Sequence, residues 1–140
     1  MPTFKTTQMT NRAAYTAMAP YEHGVVKDFY GVYTTVGTET TADLINIAEL
    51  PDGAMILPTS EIHFDAMAGA ITFAVGDGDD DNRFKTATSV ASAGSFALDT
   101  LGGLGYVVGT ASGDSTISLL VGGGTVAASK EIHVYIQYVV

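Results

Sequence analysis

The chain has 140 residues and a mass of 14.5 kDa, with 46% hydrophobic but only 15% charged residues. That is enough for one domain with a buried core, and too apolar for a disordered chain. A net charge of −9, with six scattered cations (Lys5, Arg12, Lys27, Arg83, Lys85 and Lys130), argues against nucleic-acid binding, and the absence of cysteine excludes disulfides and thiolate metal sites.

Residues 1–23 show no two-residue alternation and no apolar signal-peptide core. NRAAYTAM has the makings of one or two helical turns, with Asn11 as N-cap and Pro20 as stop. The apolar side chains Phe4, Met9, Tyr15, Met18 and Tyr21 mark the segment as an N-terminal arm that docks on something. His23 stands alone at the junction with the domain, which is expected to span 24–140.

From residue 24 the chain reads as strands and turns. VVKDFYGVYTTV (25–36) is β-branched and aromatic, with a bulge expected at Gly31. ADLINIAEL (42–50) alternates, with Ile45 and Ile47 on one face, and PDG (51–53) has the chemistry of a turn. AMILPTSEIHFDA follows, and Pro58 should break it or place it on an edge. ITFAV (71–75) puts Ile71, Phe73 and Val75 together, while RFKTATSV (83–90) suits either a strand or a short turn of helix. SFALD (95–99) and YVVGT (106–110) are read as strands on either side of a glycine-rich LGGLG. STISLLV (115–121) aligns Ile117, Leu119 and Val121. EIHVYIQYVV (131–140) alternates most cleanly, with Ile132, Val134, Ile136, Tyr138 and Val140 facing one way. It would be an adhesive edge if exposed, so it belongs inside a sheet or against a neighbour. About eight short strands joined by Gly, Asp, Asn and Pro turns describe an all-β, jelly-roll-like β-sandwich. No segment supports a helix of three turns, and no run of roughly 18 apolar residues suggests a membrane span. The expected site of assembly is the cytosol.

Chemistry is sparse. GDGDDDNRF (76–84) gathers four aspartates, and Asp77, Asp79 and Asp81 have the alternate spacing of a calcium loop. The rest of that pattern fails, because Asn82 stands where glycine is needed and Thr88 where a bidentate Glu would close the site. A polar hairpin tip, its charge offset by Arg83 and Lys85, is the preferred reading. EIH occurs twice, at 61–63 and 131–133. If those strands paired, Glu61, His63, Glu131 and His133 would converge as zinc-type ligands, although so short a repeat arises easily by chance. There is no GxSxG and no Ser–His–Asp arrangement, and no glycine run opens a helix to cradle phosphate. An enzyme is disfavoured and no cofactor is expected. Seven tyrosines and six phenylalanines among few charges suit assembly interfaces instead.

The order KDFYGVY, TADLINIAELPDGAMIL, SEIHFDA, FAVGDGDDDNRF and KEIHVYIQY resembles the small capsid decoration (cement) proteins and related minor virion proteins of tailed bacteriophages. An "LP.GA.I" turn matches residues 50–56, "VGD..D..RF" matches 75–84 and "I.VYI.Y" matches 132–138, so the resemblance covers 24–140 and leaves the arm out. It implies a jelly-roll subunit, made in the host cytoplasm and carried on the virion. The subunit would be a homo-oligomer, a trimer by preference, on the outer capsid surface near local three-fold axes, where it bridges major capsid proteins. In that setting Asp77 starts a turn, Arg83 pairs with a nearby aspartate and Phe84 anchors the loop in the core. Phe4, Tyr15, Met18 and Tyr21 are the expected capsid or inter-subunit contacts. The alternative class is a carbohydrate- or receptor-binding head-fibre module; a small hydrolase using His63 or His133 is a third.

Overall fold

The computed structural model of the chain describes residues 26–67 and 69–140. The expected arm, with Phe4, Tyr15, Met18 and Tyr21, lies outside the described residues. Nine strands and no helix occur within them: β1 Lys27–Thr34, β2 Leu44–Glu49, β3 Met55–Ile56, β4 Glu61–Phe64, β5 Thr72–Gly76, β6 Lys85–Ser89, β7 Gly94–Ala97, β8 Thr116–Gly122 and β9 Glu131–Val139.

The strands form two antiparallel sheets, ordered β1-β9-β4-β7 and β2-β8-β5-β6, with β3 also paired to β9. The pairing is nested about the middle of the chain. β5 pairs with β6, β4 with β7, β2 with β8 and β1 with β9, and successive pairs alternate between the sheets. This is the expected jelly-roll arrangement of an all-β sandwich. The strand beyond the expected eight comes from Pro58, which lacks an N–H to donate. It splits one run into β3 and β4, which lie along the same edge of β9. The gap is closed by Gln137: its carbonyl accepts the Leu57 N–H and the Ser60 hydroxyl, and its N–H donates to Ser60 Oγ.

The alternating residues of each strand meet between the sheets. Ile62, Phe73, Val75, Ile117, Leu119 and Ile132 have no exposed surface, and Phe64 stands edge-on to Phe73 at 6.5 Å. β9 is the central strand, flanked by β1 on one side and by β4 and β3 on the other, so its apolar face is buried within the sandwich.

Three local expectations change. Gly31 is not a bulge, because β1 runs in unbroken register from Lys27 opposite Tyr138 to Thr34 opposite Glu131. Its missing Cβ makes room for the Phe29 ring, which would sit 3.3 Å away. The register shift falls in β2 between Asn46 and Ala48, which lets Ala48 as well as Ile47 turn inward. YVVGT is not a strand. Gly105 and Gly109 adopt φ of 78° and 99° and turn the chain at both ends, leaving a single bridge from Val107 to Met55. RFKTATSV resolves as strand, in β6.

The turn at PDG forms as its residues dictate. Gly53 has φ of 88°, and the Ala54 N–H closes the turn on the Pro51 carbonyl at 3.1 Å. One end of the sandwich therefore carries three linked loops, 50–54, 77–84 and 98–115. Gly53 N–H donates to Val108 and Gly78 N–H to Gly113.

Candidate functional site

Two surfaces carry the polar and aromatic side chains that the fold brings together. The first is the acidic loop, which joins the central hairpin strands β5 and β6. Asp77 is buried, and its Oδ1 accepts the N–H groups of Asp79 and Asp80 at 2.9 and 2.8 Å. This is the local carboxylate-to-backbone turn that aspartate favours. Its Oδ2 accepts Arg83 Nε at 2.7 Å, while a terminal guanidinium nitrogen of Arg83 reaches Asp79 Oδ2, also at 2.7 Å. The guanidinium lies 3.8 Å from the centre of the Tyr106 ring. Phe84, 1% exposed, meets the same ring edge-on at 6.3 Å.

Tyr106 continues the brace into the long β7–β8 loop. Its hydroxyl donates to Asp114 Oδ2 at 2.7 Å, and Asp114 also collects the N–H groups of Gly109, Thr110 and Ala111. The Tyr106 hydrogen bond, together with these N–H groups and against the effect of burial, holds the Asp114 carboxyl below its ordinary range. Asp77, Arg83 and Phe84 thus sit in one cluster. Both Asp77 oxygens are committed to protein donors, so the alternate aspartates do not present an open ring of oxygens. Lys85 does not join the cluster; it pairs with Asp99 at 2.8 Å. Gly76 lets the loop fold tightly, since a Cβ there would fall 2.1 Å from the Asp80 carbonyl oxygen.

The second surface is the outer face of β1, β9 and β4. The two EIH strands do pair, with His63 directly opposite His133. The four side chains do not converge on a common point. Each histidine takes the glutamate two residues before it, His63 Nε2 to Glu61 at 2.9 Å and His133 Nε2 to Glu131 at 3.0 Å. Among the described residues no set of three or more His, Cys, Asp or Glu side chains is placed to hold a metal ion. Since a carboxylate can only accept, each Nε2 carries the proton in the neutral ring, leaving His133 Nδ1 to accept the Tyr30 hydroxyl at 2.9 Å.

Tyr30 and Tyr135 pack against each other across β1 and β9 with ring centres 4.8 Å apart, and His63 stands edge-on to Tyr135 at 5.6 Å. With Asp28, Thr59 and Gln137 they line an open groove of about 710 Å³. Tyr30, Val32 and Tyr135 are 54, 49 and 45% exposed, so this face presents aromatic surface to its surroundings. Residue-by-residue reading missed Tyr30, Tyr106 and Asp114. The alternation of β1 and β9 does carry a signal for Tyr30 and Tyr135, because both fall on the faces opposite the core-facing residues.

At the other end of the sandwich, Glu39 is buried in the β1–β2 loop. It accepts the Tyr33 hydroxyl and the N–H groups of Val36 and Gly37. Burial pushes the Glu39 carboxyl up, but those donors outweigh it and bring its pKa to about 2.

No family model matches the chain, and no curated protein matches it by sequence. Solved structures do. A chain of the cyanophage Pam1 capsid asymmetric unit is 26% identical, with a TM-score of 0.70, and the match covers 100% of this chain and 99% of that one. A chain of the capsid of Ralstonia phage GP4 is 20% identical, with a TM-score of 0.65, over 83% of this chain and 84% of the other. The second likeness is one of fold; the first extends to sequence along the whole chain.

Proposed function

We propose that the chain is a structural component of a phage virion, seated as a trimer on the outer capsid surface, where it bridges major capsid proteins and stiffens the shell. The observation that carries the virion part of this reading is the 26% identity over the full chain to a chain of the cyanophage Pam1 capsid. The order of motifs in the sequence points to the same class of protein.

The physical design supports such a role. The described residues offer a β-sandwich whose loops are braced by side chains. Asp77, Arg83 and Phe84 hold the central loop in one shape, and Tyr106 and Asp114 tie that loop to its neighbour. An object that bridges two partners transmits load only if its own loops do not yield. Phe4, Tyr15, Met18 and Tyr21 of the arm provide contacts to the shell or between subunits. Three arms on one trimer act together, since each later contact forms at high effective concentration once the first has formed.

The test is co-sedimentation with expanded capsids. The full chain is expected to sediment with the shell. A chain lacking residues 2–20 is expected to keep its thermal unfolding transition and lose the shell. Unchanged occupancy by the truncated chain removes the arm from the mechanism, and failure of the full chain to bind sinks the decoration role.

A further inference from the structure

We propose that the tyrosine-lined groove on the outer face of β1, β9 and β4 is the seat for residues 1–25 of a second copy of this chain. The inference rests on the oligomer reading above and, of the two roles given there to the arm, takes contact between subunits rather than contact with the shell.

The groove has the surface of a protein interface that lacks its other half. Tyr30 and Tyr135 form a rigid aromatic platform about half exposed, extended along β1 by Val32. Tyrosine anchors of this type carry much of the energy at interfaces, because they cover apolar area with few rotamers to freeze. The rim is acidic: Asp28, Glu61 and Glu131 line or border the groove. Its occupant should therefore offer apolar side chains and cations.

Residues 1–25 have that composition. Fourteen of the fifteen acidic residues of the chain follow residue 25, while the segment before it holds Lys5 and Arg12 against Glu22 alone. Phe4, Tyr15, Met18 and Tyr21 supply the apolar component. Aromatic rings beside carboxylates favour just such a cation, which gains from both the ring face and the charge.

Position and length favour exchange between copies. The described body begins at Val26, and the groove is lined by Asp28 and Tyr30. Val26, to which residues 1–25 are joined, thus lies two residues from the groove-lining Asp28. Fully extended they reach about 80 Å, several times the radius of gyration of roughly 13 Å of such a body. A segment of that reach is long enough to bridge to the groove of a second copy. β1, the outermost strand on this side, has β9 as its one partner strand among the described residues, and its other edge has the hydrogen-bonding groups that an extended segment would pair with.

The experiment places a benzophenone amino acid at Val32 of the full chain, beside the groove but outside the tyrosine pair. Oligomers mixed from light and nitrogen-15-labelled copies are irradiated free and on capsids, and the cross-linked peptides are read by mass. The expected product joins Val32 of one copy to a peptide from residues 1–25 of another. Capture of residues 1–25 from the same copy, of a capsid protein, or of no peptide overturns the proposal. Sedimentation of the same sample separates this outcome from failure of the oligomer reading, since a single-copy mass refutes both. A Tyr30→Ser, Tyr135→Ser double variant is the second arm. Its dissociation constant for self-association should rise at least about tenfold while its unfolding transition stays cooperative; unchanged association also overturns the proposal.

Discussion

Replacing Arg83 with alanine tests whether the central loop is held by its side chains. The substitution removes the contact to Asp77, whose side chain is wholly buried while that of Arg83 is 12% exposed. A hydrogen bond between charged groups of this kind contributes about 1.5–3 kcal/mol. The stacking of the guanidinium on Tyr106 at 3.8 Å adds about 1 kcal/mol. The pair with Asp79, half exposed, adds at most about 0.5 kcal/mol. Asp77 keeps two backbone donors after the change, so the full penalty of a stranded buried charge is not incurred. The expected loss is about 3 kcal/mol, or roughly a 10 °C fall in Tm for a domain of this size. Urea unfolding at fixed protein concentration measures it, with Asp77→Asn and the double variant completing a cycle. Arg83→Lys should lose about half as much, because it keeps the charge but not the planar fork. A loss below about 1 kcal/mol for Arg83→Ala would refute the reasoning and leave the loop to the backbone turn at Asp77, the Gly78–Gly113 hydrogen bond and the buried Phe84.

Further expectations follow from other buried groups. Phe84→Ala should cost about 3–4 kcal/mol, as is usual for a fully buried ring, and a loss under 1 kcal/mol would mean the loop packs without it. Gly76→Ala drives a Cβ into the Asp80 carbonyl; a loss of about 1–3 kcal/mol is expected, with faster amide exchange confined to 77–83, and wild-type exchange there would refute the tight fit. Glu39 has a folded pKa of about 2 against an ordinary 4.5. Its stabilisation is therefore complete above pH 4.5 and is lost as pH falls from 4.5 towards 2. Glu39→Gln should flatten the decline of Tm in that window, and parallel declines in the two proteins would show that the carboxylate is not responsible. Millimolar calcium should move Tm by less than about 1 °C, since both oxygens of Asp77 are already engaged; a rise of several degrees would reopen the cation reading of the loop.

The sandwich was legible in the sequence because its buried faces obey a two-residue period. Ile117, Leu119 and Val121 or Ile132, Val134 and Ile136 leave no choice of face. Pro58 and the PDG turn were legible for the same local reason, since each restricts the backbone whatever surrounds it. What failed were elements whose conformation is decided from far along the chain. Val107 and Val108 suit a strand, but Asp114 gathers the backbone N–H groups just beyond them and makes that stretch a loop. Gly31 looked like a bulge because glycine often marks one, yet it is there for the Phe29 ring. At the candidate sites, Asp77, Arg83 and Phe84 stood within eight residues and could be read together. Their link to Tyr106 and Asp114 spans a loop, and Tyr30 meets Tyr135 across 105 positions, a pairing set by the register of β1 on β9. The repeated EIH, read as a repeat that chance supplies easily, falls on two strands that do pair, and each glutamate keeps its own histidine.

The central place of β9 has a consequence for how the protein is made. This strand follows all the others in the chain, yet β1 and β4 both line up against it. As the polypeptide leaves the ribosome, β1 must wait for a partner more than a hundred residues behind it. Such distant pairings fold slowly, and until they form the waiting strands are exposed to aggregation. The delay also has a benefit. The face shared by these three strands comes into being only once β9 has been made, so a partly synthesised copy does not present the tyrosine-lined groove.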